Sequence, residues 1–297
     1  MSASATPQGL LAWAAQALQD PQGRELAGQV QWWNLAAPGA TGRELWPVAV
    51  GGDGPPLLLL HGFDSSLLEF RRLAPLLAKH HTLVIPDLYG FGFTPRPAAG
   101  VYGPDGVLDH LEAVLDRLDA PVGLIGASMG GAVAMALARR RPSQIQRLLL
   151  LAPAGLGGKP RPIPPPLAQL GARFLALPWV RRGLCRSAFA DAGASVGAPE
   201  LEIASLHLQC PGWAESLARF ASTGGFAGCG SPLPPQPIRV LWGEDDRVLG
   251  PTQRREAQAL FGDAIVPVAR CGHLPHLDQP DLVLEHWVHP PPAHPPC

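Results

Sequence analysis

The chain has no cysteine pair at C-x-x-C spacing. Its five cysteines, Cys185, Cys210, Cys229, Cys271 and Cys297, are odd in number and widely separated. A disulfide framework is therefore not expected, and free thiols in a reducing compartment are the reading. Long runs of one charge are also missing: 23 basic residues face 24 acidic ones, for a net charge of −1. That balance excludes the basic stripe that nucleic-acid binding requires. The doublets Arg71-Arg72, Arg181-Arg182 and Arg254-Arg255 and the triplet Arg139 to Arg141 read as solvated helix ends. No basic residue precedes Arg24, so the start lacks the n-region of a secretory signal, and a cytoplasmic protein is expected. One uncharged stretch, 121–138, is long enough to raise a membrane span. Its glycines and central serine favour a strand plus a helix, so stable membrane insertion is not expected. The sequence sets no oligomeric state.

What is present is ample apolar material, 46% of residues, and 35 prolines with 34 glycines gathered in clusters that mark boundaries. Leu10, Leu11, Ala14, Ala17 and Leu18 repeat at helical spacing, which predicts an N-terminal helix over 8–19 ended by Asp20-Pro21. Short strands are expected at 30–33 and 44–50, as an antiparallel pair at a sheet edge. From Pro55 the pattern becomes strand, loop, helix, with strands at 57–60, 82–85, 121–125 and 145–151 and helices over 67–79 and 105–118. Such alternation builds a doubly wound, mostly parallel sheet. It breaks at Ala154. Prolines at 160–166 and 232–237 bracket four helical patterns, at 167–177, 179–189, 199–209 and 213–222. Proline lacks the N–H that a helix or strand needs, so these clusters read as the borders of an inserted helical cap. Strands at 238–242 and 265–268 and helices at 253–261 and 280–288 then resume the alternation. The expected division is an N-terminal helical segment 1–30, an α/β core 31–154 and 238–289, a cap 155–237, and a flexible Pro-rich tail 290–297.

Gly126-Ala127-Ser128-Met129-Gly130-Gly131 falls between a buried strand and a helix rich in alanine. A serine there, with glycine two residues before and two after, is the nucleophile-elbow pattern. A side chain at either glycine would collide with the neighbouring strand or helix, and the strained turn aims the hydroxyl out of the sheet. A serine needs an imidazole to take its proton and a carboxylate to hold that imidazole. Downstream, Gly243-Glu244-Asp245-Asp246 follows one expected strand and Gly272-His273 follows another. The order Ser, Asp, His is the one described for hydrolases with this elbow. Spacing alone leaves Glu244, Asp245 and Asp246 open as the acid. Cys271, His273 and His276 are half a metal site at most, with no second pair of ligands, so no metal and no cofactor are expected.

These motifs together resemble the α/β-hydrolase-fold serine hydrolases, in their capped, lipase/esterase-like branch. His61-Gly62-Phe63 resembles the family's H-G-x oxyanion loop, and Asp87 to Thr94 its D-x-x-G-x-G-x-S loop. Trp242 to Asp246 matches W-G-x-x-D, and Gly272-His273 with Asp278-Gln279-Pro280 resembles G-H-x-x-x-x-E-x-P. The resemblance covers roughly residues 45–290. It implies Ser128 as nucleophile, His273 as general base and acid, Asp246 as the orienting carboxylate, and the N–H groups of Phe63 and Met129 as the oxyanion hole. It assigns His61 and Asp87 to holding their loops. The implied activity is hydrolysis of an ester or thioester through an acyl-serine, and the Leu, Phe and Trp side chains of the cap, with few acids, point to a small, apolar acyl substrate. Alternatives on the same fold are a cofactor-free haloperoxidase or perhydrolase and a carbon–carbon bond hydrolase. The latter tends to show S-G-P-G after the oxyanion His-Gly and an asparagine before the nucleophile, where this chain has Phe63-Asp-Ser-Ser66 and Ala127. A ligand-binding relative without turnover is the non-enzyme alternative.

Overall fold

Leu57 to Leu60 show how the sequence builds the sheet. Leu58 and Leu60 join one apolar cluster and Leu57 and Leu59 the other, so successive side chains point to opposite faces and both faces are covered. Leu148 and Leu150 against Leu149 and Leu151 repeat the split. The computed structural model describes residues 6–289; the Pro-rich tail expected at 290–297, with Cys297, lies outside the described residues. Eight strands form one sheet: β1 Val30–Trp33, β2 Trp46–Gly51, β3 Pro56–Leu60, β4 Thr82–Pro86, β5 Val122–Ala127, β6 Ile145–Leu151, β7 Ile238–Gly243 and β8 Ile265–Val268. Their order is β1-β2-β4-β3-β5-β6-β7-β8. β1 and β2 are an antiparallel edge, β2 is antiparallel to β4, and every other pair is parallel.

On one face the helices Pro104–Leu115, Met129–Arg140 and Pro251–Phe261 bury Leu111, Val133 and Phe261 against the sheet. On the other, Pro7–Ala17, Pro21–Gly28 and Pro280–Val288 contribute Leu11, Leu26 and Trp287. The sheet is thus doubly wound. Between β6 and β7 lie the helices Pro165–Leu175, Pro178–Ala188, Ala198–Leu206 and Trp213–Ala221, with a short one at Ala192–Ser195. They form the inserted helical cap.

Two local features depart from expectation. The N-terminal helix, Pro7–Ala17, ends before Asp20-Pro21 as expected, but a second helix, Pro21–Gly28, follows at once. Asp20 accepts the N–H of Gly23, and Pro21 occupies the first turn, so the pair that ends one helix starts the next. The helix expected over 67–79 is broken into a 3₁₀ turn, Leu67–Phe70, and a single helical turn, Ala74–Leu77. The Leu67 N–H, free at any helix start, is capped by Asp87 Oδ1 at 2.6 Å, and the break comes at Pro75, which lacks the N–H that would bond back to Arg71 and run the two turns together.

Candidate active site

The loops that follow β3, β5, β7 and β8 meet at the carboxyl ends of the strands. Ser128 links β5 to the helix Met129–Arg140 with φ +51° and ψ −119°, a left-handed conformation that serine rarely adopts. The packing enforces it. A Cβ on Gly126 would lie 2.3 Å from the Gly130 carbonyl oxygen, and one on Gly130 would lie 2.2 Å from that of Leu60. The Ser128 N–H donates to Leu151 O at 2.9 Å, and its own carbonyl accepts from Gly131 and Ala154. With backbone held on both sides, the hydroxyl has one direction to point.

His273 sits on the loop after β8, held by its N–H to Ala188 O at 2.7 Å. Its Nε2 is 2.8 Å from Ser128 Oγ and its Nδ1 is 3.0 Å from Asp246 Oδ2. Asp246, on the turn after β7, also accepts the N–H groups of Val248 and Leu249 at 2.8 and 3.1 Å. Burial pushes its carboxyl pKa up, but the hydrogen bond and charge of His273 and the two backbone donors outweigh burial and hold it below the ordinary value. Glu244 and Asp245 are exposed. Of the three acids on this turn, Asp246 is the one that reaches the imidazole.

Phe63 lies in the loop after β3, beside the cavity, and Met129 opens the helix after Ser128, where an N–H has no acceptor within its own helix. His61 donates from Nδ1 to Gly62 O at 2.8 Å and accepts the Leu88 N–H on Nε2 at 3.0 Å, so its ring is neutral. Burial lowers its pKa to about 4. Asp87 accepts the N–H groups of Leu67 and Phe93 at 2.6 and 2.7 Å, and burial raises its pKa to about 7. Both side chains brace loops. No group of three or more possible metal ligands occurs among the described residues.

A cavity of about 330 Å³ opens at Ser128 and His273 and runs beneath the cap. Leu175, Leu184 and Ile203 from the cap and Leu274 and Leu277 from the His273 loop supply its apolar wall. Charged groups also line it, and they engage one another. Asp64, next to Phe63 and itself at φ +50°, accepts Arg181 Nη1 at 2.5 Å and Trp213 Nε1 at 2.8 Å, with His207 Nε2 at 3.3 Å. Arg71 pairs with Glu200 of the cap and with Asp20 at 3.0 Å. The sequence reading of two arginine doublets as solvated is therefore corrected. Arg71 and Arg181 are 1% and 7% exposed. Neighbours on a helical turn differ by about 100°, so one arginine of a doublet can face inward while the next faces water. The signal that could have found this site was a lone aspartate, Asp64, placed directly after the apolar Gly62-Phe63.

The model of the family described as "Alpha/beta hydrolase family" matches residues 57–286. The chain belongs to that family. The chain is 39% identical to the 2-hydroxymuconate semialdehyde hydrolase of Pseudomonas sp. (strain CF600) over 109 residues, 35% of this chain and 38% of that protein. It is 38% identical to Lipase 3 of Moraxella sp. (strain TA144) over 104 residues, 34% of this chain and 33% of that protein. The chain thus spans only about a third to two fifths of the length of these curated relatives. Among solved structures, the meta-cleavage product hydrolase of Pseudomonas fluorescens IP01 superposes with a TM-score of 0.70 at 23% identity, covering 87% of this chain and 97% of that one. That likeness supports the shared fold.

Proposed function

We propose that this hydrolase cleaves an ester or thioester of a small, apolar acyl substrate through an acyl-serine intermediate. One observation carries the reading: Ser128 Oγ, the His273 ring and the Asp246 carboxylate form an unbroken hydrogen-bonded line, with the serine in a strained, aimed conformation. In this mechanism Ser128 Oγ attacks the carbonyl carbon as His273 Nε2 takes the hydroxyl proton. Asp246 holds the ring with its Nδ1 proton inward and stabilises the imidazolium. The N–H groups of Phe63 and Met129 receive the developing oxyanion. His273 then gives the proton to the departing alkoxide or thiolate, and a water repeats the sequence to release the acid and restore Ser128. The apolar wall of the cavity supports an apolar acyl group; of the charged side chains there, Arg181 is paired with Asp64 and Arg71 with Glu200, while Arg181 Nε and His207 Nδ1 have no partner among the described residues.

The division into an N-terminal segment 1–30, a core 31–154 and 238–289, and a cap 155–237 belongs to the same reading. So does a reducing, cytoplasmic setting, supported by Cys185, Cys210, Cys229 and Cys271 being unpaired thiols.

A fluorophosphonate probe tests the nucleophile. It should label the native protein at Ser128 and leave Ser128→Ala unlabelled, with ester turnover lower by on the order of 10⁶. Ser65 and Ser66 line the same cavity, and labelling at either would overturn the assignment. A second reading, carbon–carbon bond hydrolysis, draws on the name of the 39%-identical relative. Comparing kcat/KM for acyl esters and for 2-hydroxymuconate semialdehyde separates the two.

A further inference from the structure

The helix Pro165–Leu175 is built inside out. Its small residues Ala168 and Ala172 are buried in the main core cluster, which also holds Trp213 and Leu217 of the helix Trp213–Ala221. Its large apolar residues Leu167, Leu170 and Phe174 face outward, 59%, 65% and 48% exposed. Positions i, i+3 and i+7 fall within one narrow face, so these three make a continuous ridge. Trp179, 66% exposed at the start of the next helix, extends it, with its ring edge-on to Phe174 at 5.4 Å. Single exposed apolar residues are ordinary, but four large ones side by side mark a contact surface.

The charges on the segment that carries the ridge are of one sign. From Ala120 to Ala190 the chain has no aspartate or glutamate, while Lys159, Arg161, Arg173, Arg182 and Arg186 are exposed. Arg173 shares a groove with the exposed Glu215 of the helix Trp213–Ala221, and setting it aside leaves four basic groups, Lys159, Arg161, Arg182 and Arg186. Trp179, Arg182 and Arg186 repeat at i, i+3 and i+7, so an aromatic and two guanidinium groups share the outer face of the helix Pro178–Ala188. Its opposite face, with Arg181, Leu184, Cys185 and Ala188, lines the cavity beside Ser128. One helix separates the ridge from the site.

We propose that this outer face of the cap docks on a bilayer surface containing anionic lipid, with Leu167, Leu170, Phe174 and Trp179 entering the acyl boundary and Arg182 and Arg186 meeting headgroup phosphates. An apolar stripe edged by arginine and tryptophan is the chemistry of interfacial binding. No helix among the described residues is long and apolar enough to cross a membrane, so the contact is with the surface. A second copy of this chain is the poorer occupant. A two-fold contact through this face would set arginines against arginines with no acid of the same segment to neutralise them.

Docking is independent of the proposed reaction, and Ser128→Ala protein isolates it from lipid turnover. That protein should sediment with vesicles of phosphatidylcholine mixed with phosphatidylglycerol, less with phosphatidylcholine alone, and less again as salt is raised. Leu170→Ser and Trp179→Ser should each weaken partitioning roughly tenfold while leaving Tm unchanged, since neither side chain is buried. Arg182→Gln with Arg186→Gln should weaken it about tenfold or more on the mixed vesicles and little on the neutral ones. Failure of the Ser128→Ala protein to bind phosphatidylglycerol vesicles overturns the proposal. So does sedimentation velocity that finds a dimer dissolved by Leu170→Ser, which would assign the ridge to a second copy. Loss of probe labelling at Ser128 with vesicle binding retained would remove the reaction and leave the docking face standing.

Discussion

Replacing Asp64 should damage this protein more than its place in an unassigned loop suggests. Its carboxylate holds Arg181 and Trp213 and faces His207, three groups from three cap elements, while its backbone sits beside Phe63 at φ +50°. Burial pushes the Asp64 pKa up, but the hydrogen bond and charge of His207, then Arg181 and Trp213, hold it below the ordinary carboxylate value. In Asp64→Ala the Arg181 guanidinium keeps the Ala204 carbonyl but loses its counter-charge, and the Trp213 N–H loses its acceptor. Breaking a buried pair from one side costs roughly 3–5 kcal/mol, and an orphaned buried donor about 1–3 more, not fully additive. A loss of about 4–6 kcal/mol is therefore expected. Asp64→Asn keeps one carbonyl acceptor and a residue that tolerates the left-handed backbone, so roughly half that loss is expected. Adding Arg181→Met to Asp64→Asn removes the stranded charge and should recover part of it. Urea unfolding followed by circular dichroism measures the three, and the rate of fluorophosphonate labelling reports on the Phe63 loop. The reasoning fails if Asp64→Ala unfolds within about 1 kcal/mol of the native protein, or if Arg181→Met recovers nothing.

Asp246→Asn should lose on the order of 10⁴ in kcat, since an amide cannot hold the imidazole in its working tautomer, whereas Asp245→Asn should stay near native; steady-state ester kinetics would refute this by equal losses. His110, with Trp46 4.8 Å from its ring and no partner for either nitrogen, has its pKa lowered by burial from 6.5 to about 3. The unfolded chain takes up that proton first, so the stability from a neutral His110 is full above pH 6.5 and is lost as pH falls toward 3. Its loss amounts to on the order of 4 kcal/mol, and His110→Phe should flatten the acid limb of a Tm-against-pH curve; an unchanged limb would count against it. Gly130→Ala should give little folded, probe-reactive protein, because its Cβ would meet two backbone carbonyls with no side chain able to give way.

The sheet was legible because burial on both faces leaves a plain mark: Ile145–Leu151 and Ile265–Val268 are strands over the residues their apolar runs predict. The elbow was legible because Gly126 and Gly130 are required by contacts to backbone that no side chain could share. Local grammar failed where one residue serves two neighbours. Asp20-Pro21 reads equally as an end and a beginning, and Pro75 both interrupts the helix expected over 67–79 and sits in the first turn of Ala74–Leu77. The pairing of Asp64 with Arg181 spans 117 residues, and no periodicity within either segment encodes it. Among three consecutive acids, spacing alone left the choice open; the resemblance to W-G-x-x-D pointed to Asp246, and in the turn after β7 it is Asp246 whose carboxylate meets His273.

The strand order gives the molecule a sequence of events as well as a shape. From β3 onward the sheet grows outward toward one edge, β3, β5, β6, β7, β8, in the order in which a ribosome delivers it. Ser128 arrives in the middle of that order, while Asp246 and His273 arrive on the last two strands, 118 and 145 positions later. A nascent chain halted inside the cap already owns its elbow, but no imidazole exists to draw the proton from Ser128. The hydroxyl stays an ordinary alcohol until the edge is closed. On the proposed mechanism, carrying the base and its carboxylate on the last two strands would delay reactivity until those strands dock.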